Sequence, residues 1–313
     1  MTATKAFVAG FVLLAGLVVL ALSVGAQGIG WGDGGSLVLL RFPRVLAALA
    51  AGLALGIGGA AQQGVFRNPL ADPGLTGVFG GALFGIALLL GCFPEAAWRH
   101  AWGIPAAAFT GALVTSALLV MLGGGAATSR LLLAGLGLNA FTAAGTLVIA
   151  SRSGESRELL TNGAYGDWLG MATLELTWLP VLLTFLAATL LLPLARSLDL
   201  LSFGEDAARG FGCDVGGVRR AAVLLTALAA GAATCLVGQV AFIGLLAPHL
   251  ARRLVGPRHA KVLPLSALLG GALLLGADTL GRGLWPQAPL SGAAVTAVLG
   301  APLFIWMARG RHE

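Results

Sequence analysis

Charge is scarce in this chain. Asp, Glu, Lys and Arg make up 10% of its 313 residues, and lysine occurs only at Lys5 and Lys261. A soluble domain carries roughly 25% charged residues. The deficit excludes an ordinary soluble enzyme, a disordered segment and a nucleic-acid binder. The lysine shortage excludes more. A phosphate-binding loop ends in Gly-Lys-Ser/Thr, and here the lysines follow Thr4 and Ala260. Any ATP hydrolysis linked to this chain belongs to another polypeptide. Cysteine is limited to Cys92, Cys213 and Cys235, with no CxxC pair. An odd number cannot complete a disulfide framework. His100, His249, His259 and His312 lack the spacing of paired metal ligands. Gly135-Leu136-Gly137-Leu138-Asn139-Ala140 loosely matches a dinucleotide fingerprint, but it sits in an uncharged stretch without a βαβ setting. No nucleophile–base pair emerges. The chain is expected to be no enzyme and to carry no cofactor or metal of its own.

What the chain has in abundance is apolar length. Hydrophobic residues reach 58% and there are 48 glycines, with a mean hydropathy of +0.92. Each bilayer crossing takes ~20 apolar residues. Nine uncharged stretches can each hold such a helix: 6–32, 45–66, 73–94, 101–129, 131–151, 176–195, 221–248, 262–277 and 288–308. The eighth needs Asp278 and the residues to Gly281 to complete it. Basic residues cluster in 196–220 and 252–261, which puts both segments in the cytoplasm by the positive-inside rule. Only 31 residues, 221–251, lie between them, whereas two full crossings need about 40. The second crossing is therefore expected to be short or broken, at 241–255 with Pro248 inside it. That makes ten spans with both termini inside. Thirteen of the 19 basic residues then face in, and Arg41, Arg44, Arg99, Arg152, Arg157 and Arg282 face out. The +6 net charge reads as topology. The N-terminal run before Ser23-Val24-Gly25-Ala26 resembles a signal peptide, but it continues uncharged to Gly32 and is read as a retained first span.

The expected fold is thus all-α and polytopic: a single transmembrane domain over 1–313, with about ten helices. A weak inverted repeat is suggested by Gly59 and Pro69, which match Gly238 and Pro248 at an offset of 179 residues. Gly52/Gly56, Gly77/Gly81 and Gly81/Gly85 are GxxxG pairs, read as close packing inside the bundle, with a dimer seam as the alternative. Asp278 is the one carboxylate well inside an apolar segment. Such groups often carry protons or substrate. Arg282 follows four residues later, and an i,i+4 ion pair accounts for Asp278 without a proton path.

Several motifs occur in a fixed order. Arg41-Phe42-Pro43-Arg44 precedes the second span, then come Gln62 and Arg67-Asn68-Pro69-Leu70-Ala71-Asp72-Pro73. Thr128-Ser129-Arg130, then Gly204-Glu205-Asp206-Ala207-Ala208-Arg209-Gly210-Phe211-Gly212, follow. The last are Gly244-Leu245-Leu246-Ala247-Pro248-His249 with Arg252, Ala277-Asp278 with Arg282, and Gly300-Ala301-Pro302. Over roughly 37–308 these resemble the permease family of ABC importers for ferric siderophores, heme and cobalamin (FecCD/BtuC-like).

The resemblance implies a bacterial inner-membrane homodimer. Two ATPase subunits, which bind the ATP and Mg, would dock inside, and one periplasmic binding protein outside. It implies that Arg41, Arg44 and Arg282 dock the binding protein, pairing with carboxylates on its lobes. It implies a coupling loop at about 197–220, centred on Gly204, Glu205, Asp206, Ala207 and Arg209, that seats in the ATPase. It places a cytoplasmic gate at Thr128 and Ser129, and family-motif positions at Gln62, Asn68, Pro69, Pro248 and His249. Gln287-Ala288-Pro289 departs from the family's Glu-Leu-Pro, and 162–170 matches its Trp-and-Gly element only loosely. The competing reading is a stand-alone ion-coupled secondary transporter working through Asp278. Which chelate is carried does not follow from the sequence, because a wide pathway passes what its binding protein delivers.

Overall fold

The apolar stretches become helices because a backbone in hydrocarbon must satisfy its polar groups internally. The computed structural model describes residues 2–25, 28–30, 36–93, 103–123, 128–152, 157–158, 160–161, 168–284 and 290–309. The helices are α1 Ala3–Ser23, α2 Ser36–Phe66, α3 Val78–Cys92, α4 Gly103–Gly123, α5 Thr128–Ala150 and α6 Leu174–Leu191. They continue with α7 Ala195–Ser202, α8 Glu205–Gly210, α9 Val215–Val237, α10 Ile243–Val255, α11 His259–Leu284 and α12 Gly292–Arg309. A two-residue ribbon, β1 Val24–Gly25 against β2 Gly28–Ile29, follows α1.

Among the described residues, seven helical segments are long and apolar enough to cross a membrane by length and composition. They are Ala3–Ser23, Leu37–Phe66, Gly103–Leu122, Leu133–Ala150, Leu174–Ser202, Val215–Val237 and His259–Leu284. Val78–Cys92 and Gly292–Pro302 are shorter apolar helices. The segment expected to cross briefly, 241–255, holds α10, whose 13 residues span about 20 Å against a ~30 Å core; α10 is not among the described helices apolar and long enough to cross. Ahead of it, 238–242 is non-helical, with Gly238 at φ 77° and Phe242 at φ 70°.

α2 is the axle, packing against α1, α6, α9, α10 and α11. Its glycines set the spacing. A Cβ on Gly52 would fall on the Gly270 carbonyl, and one on Gly56 on the Ser266 carbonyl. α2 and α11 therefore run antiparallel with backbones nearly touching. Gly81 and Gly85 do the same for α3 against Gly111 and Ala107 of α4. Four of the five GxxxG glycines thus pack helices within this chain, while Gly77 is the left-handed cap of α3, at φ 84°. The offset-179 match does not pair like with like. Gly59 lies inside α2 and Gly238 caps α9; Pro69 lies in a turn and Pro248 inside α10.

Buried side chains form two layers along the bundle. One surrounds Val45, Ile86, Leu236 and Leu275, and the other Ile57, Leu198, Val223 and Leu263. The second lies toward the end where α1 begins, here called the Lys5 end. The opposite end holds Arg41, Arg44 and Arg282.

Candidate functional site

Three polar assemblies interrupt the apolar bundle. The first sits at the Arg41 end. A helix leaves its last carbonyls without partners, and α1 ends beside two arginines. Arg41 donates to the carbonyl oxygens of Leu22, Ser23 and Gly30 at 2.8, 2.7 and 2.7 Å. Arg282 donates to Val24 at 2.7 Å and Ala21 at 3.3 Å. Asp278, fully buried, accepts from Arg282 Nε at 3.0 Å and from Arg44 Nη2 at 2.7 Å. The i,i+4 pair expected from the sequence is present, and Arg44 of α2 joins it across the bundle. The structure thus brings the three expected docking arginines together. It corrects their exposure: Arg41 and Arg282 are buried because they satisfy the end of α1. Arg44 keeps 20% of its side chain open. Asp278, the residue on which an ion-coupled carrier would depend, is engaged by two guanidiniums.

The second assembly holds α10, the helix that contains Pro248. A helical proline lacks the N–H that would bond the carbonyl four residues earlier. Pro248 therefore leaves the Gly244 carbonyl of α10 without its helical partner, and Gln63 of α2 supplies one, its Nε2 donating at 3.2 Å. The same amide accepts from Arg252, one turn further along α10. Gly59 makes room, since a Cβ there would meet the Gly244 backbone.

The loop between α2 and α3 closes around this joint. Arg67 ends α2 at φ 47°. Asn68 Oδ1 accepts from Leu70 N at 2.9 Å, and Asp72 Oδ1 from Gly74 N at 2.8 Å. Gln62 donates to Thr76 at 3.1 Å, and Asn139 of α5 to the Gly74 carbonyl at 2.7 Å. Burial pushes the Asp72 carboxyl up to about 6, against the lowering effect of the Gly74 N–H. The motif residues Gln62, Asn68 and Pro69 thus share one loop joint, and Pro248 acts on it through Gly244. His249 is half-buried on α10.

The third assembly is an arm at the Lys5 end, α7 and α8. Gly204 (φ 111°) and Gly212 (φ 79°) bracket α8 in conformations that side chains disfavour. Glu205 pairs with Arg209 at 3.0 Å and with Arg219 of α9, and Asp206 pairs with Arg209 at 3.0 Å. Asp214 caps α9 through Gly217 N at 2.9 Å. Ala208 is buried beneath, and Ala207 is half-buried. Phe203 and Phe211 are 75% and 71% exposed beside these charges. Thr128 and Ser129 form the first turn of α5 rather than a loop before it; their side chains lie outside the described residues. So do Gln287, Ala288, Pro289 and residues 162–167.

Sequence reading missed Gln63 and Phe203 as contributors, and held Asp72 and Phe211 within its motifs without giving them a role. Pro248 was the available signal for Gln63, since each helical proline implies an orphan carbonyl. Phe203 and Phe211 could have been found as apolar residues in the most charged loop.

A sequence profile of the FecCD transport family matches residues 12–310. The chain belongs to the FecCD transport family. The ferric enterobactin transport system permease protein FepD of Escherichia coli (strain K12) is 42% identical over 275 residues, covering 86% of this chain and 80% of FepD. The hemin transport system permease protein HmuU of Yersinia pestis is 37% identical over 292 residues, covering 88% and 83%. A solved structure described as a metal-chelate type ABC transporter, in an inward-facing conformation, superposes with a TM-score of 0.88 at 27% identity. That match covers 98% of this chain and 99% of the other. With seven helices among the described residues apolar and long enough to cross a bilayer, this FecCD chain is a multi-pass membrane protein of the ABC permease type.

Proposed function

We propose that the chain is the membrane-spanning permease of an ATP-driven importer. It moves an iron chelate (ferric siderophore or heme) or cobalamin from a periplasmic binding protein into the cytoplasm. The whole chain acts as one transmembrane domain of ten spans in the bacterial inner membrane, with both termini cytoplasmic. It works as a homodimer with two ATPase subunits, which hold ATP and Mg, and one binding protein. Apolar side chains left open on α5, including Leu133, Phe141 and Leu147, support a second copy against that helix. Thr128 and Ser129 then stand at the cytoplasmic gate.

The observation that carries the reading is the α7–α8 arm. Two large aromatic side chains stand exposed among paired charges, where water rather than lipid is expected. Aromatic residues of this kind are enriched at protein interfaces, and the arm fits an ATPase cleft. Gly204, Glu205, Asp206, Ala207 and Arg209 shape it, with Phe203 and Phe211 as its apolar contacts. At the other end, Arg44 is the arginine best placed to reach a carboxylate on the binding protein, with Arg41 and Arg282 behind it. The test is Phe203→Ser with Phe211→Ser, assayed in proteoliposomes. The expected result is loss of ATPase co-purification and of ATP-driven uptake, with the chain still inserted. Full uptake by that double variant would sink the coupling assignment.

A further inference from the structure

The arm is fastened to one particular helix. Asp199, on α7, accepts two hydrogen bonds from His259, the first residue of α11: one from its backbone N–H at 2.9 Å and one from ring Nδ1 at 2.7 Å. A carboxylate only accepts, so Nδ1 carries the proton. Ring Nε2 is turned toward Gly64 of α2, where a Cβ would collide with it, and has no hydrogen-bond partner among the described residues. The ring is thus wedged between α7 and α2 while bonded to one of them. Leu198 and Leu201 of α7 are buried on the same side.

α11 has 26 residues and is therefore about 39 Å long. Its far end carries Asp278, which holds Arg44 and Arg282. One helix consequently connects the arm to the arginine cluster. Between the two ends, Gly52 and Gly56 hold it against α2 at backbone contact.

We propose that Asp199 and His259 are positioning residues that join the arm to α11, so that a displacement of the arm reaches the arginine cluster through α11 as a rod. This rests on the importer reading above. A two-state element biased at both ends is what physical coupling between distant sites requires.

The test uses the permease, its ATPase and its binding protein in proteoliposomes. It reads binding-protein affinity, basal ATP hydrolysis, and hydrolysis stimulated by loaded binding protein. Asp199→Ala removes both bonds. It should leave binding-protein affinity near wild type and lower the stimulated-to-basal hydrolysis ratio about tenfold, within the range of allosteric couplings. Asp199→Asn keeps an acceptor oxygen and should restore most of the ratio, which a merely structural role would not predict. Asp199 is about one-third exposed, so truncation opens to water rather than leaving a void. His259→Leu, which keeps bulk and loses the ring donor, is an independent variant expected to lose the ratio. Wild-type stimulation in Asp199→Ala or His259→Leu would overturn the joint. Absence of stimulation in the wild type would refute the importer reading and the joint with it.

Discussion

Replacing Asp278 by alanine removes a fully buried carboxylate that two guanidiniums face. Breaking a buried ion pair from one side costs about 3–5 kcal/mol, because a charge is left uncompensated. Two features place this case at the lower end. Arg282 keeps its bonds to Val24 and Ala21, and Arg44 reaches solvent with 20% of its side chain. A loss of about 3 kcal/mol is expected for Asp278→Ala. Arg44→Ala leaves Asp278 paired with Arg282 and should cost about 1 kcal/mol, as partly screened pairs do. Double-mutant cycles should give a larger coupling for Asp278 with Arg282 than with Arg44, inside the usual range of about 0.5–3 kcal/mol. The assay is unfolding by SDS in mixed micelles. If Asp278→Ala lay within about 0.5 kcal/mol of wild type, as neutral surface changes do, the account of the cluster as a buried ion network would be refuted.

Other outcomes follow from the same contacts. Gly56→Ala drives a methyl onto the Ser266 carbonyl and should destabilise by about 1–3 kcal/mol; Gly16→Ala, inside α1 with open space around it, is the control in the same titration and should hold or gain stability, by up to about 1 kcal/mol. Asp72 has a folded pKa of about 6 against 3.8 unfolded. Between those values the folded state binds the extra proton, so stability falls as pH rises through that window, by roughly 3 kcal/mol in all. Asp72→Asn should flatten this dependence and raise the melting temperature at pH 7.5; an unchanged pH profile would contradict it. ATP-driven uptake should survive collapse of the proton gradient by a protonophore, and its loss would favour an ion-coupled carrier.

The long apolar helices were legible because membrane spans are written in composition. The 31 residues between two basic segments were too few for two full-length helices, and the helix within them, α10, has 13 residues. The pairing of Asp278 with Arg282 was legible because four residues is one helical turn. Its second partner was not, since Arg44 lies 234 positions away and nothing local records which helices meet. The same limit hid Asp199 with His259 and Gln63 with Gly244. The residues matched at offset 179 differ in conformation for another reason. In a chain with 48 glycines, a recurring Gly does not identify a recurring conformation, and only the backbone separates a packing glycine such as Gly59 from a cap such as Gly238.

The glycines also explain why the polar joints are so few and so placed. With no hydrophobic drive between helices in lipid, association rests on close packing and on buried polar bonds. α2 meets α11 at Gly52 and Gly56 through backbone contact and at Gly271 through the Leu49 side chain, contacts that are apolar or main-chain and carry no side-chain ion pair. Polar bonds fasten the two ends: Arg44 with Asp278 at one, and His259 wedged against Gly64 and bonded to Asp199 at the other. A helix held this way keeps its register yet can shift as a unit, which suits an element that must move without unpacking. If so, Gly64→Ala, which displaces the His259 ring, should loosen α11 at the Lys5 end only. Hydrogen exchange should rise across the first turns of α11 and stay unchanged around Asp278; protection lost equally at both ends would show that the two fastenings are not separate.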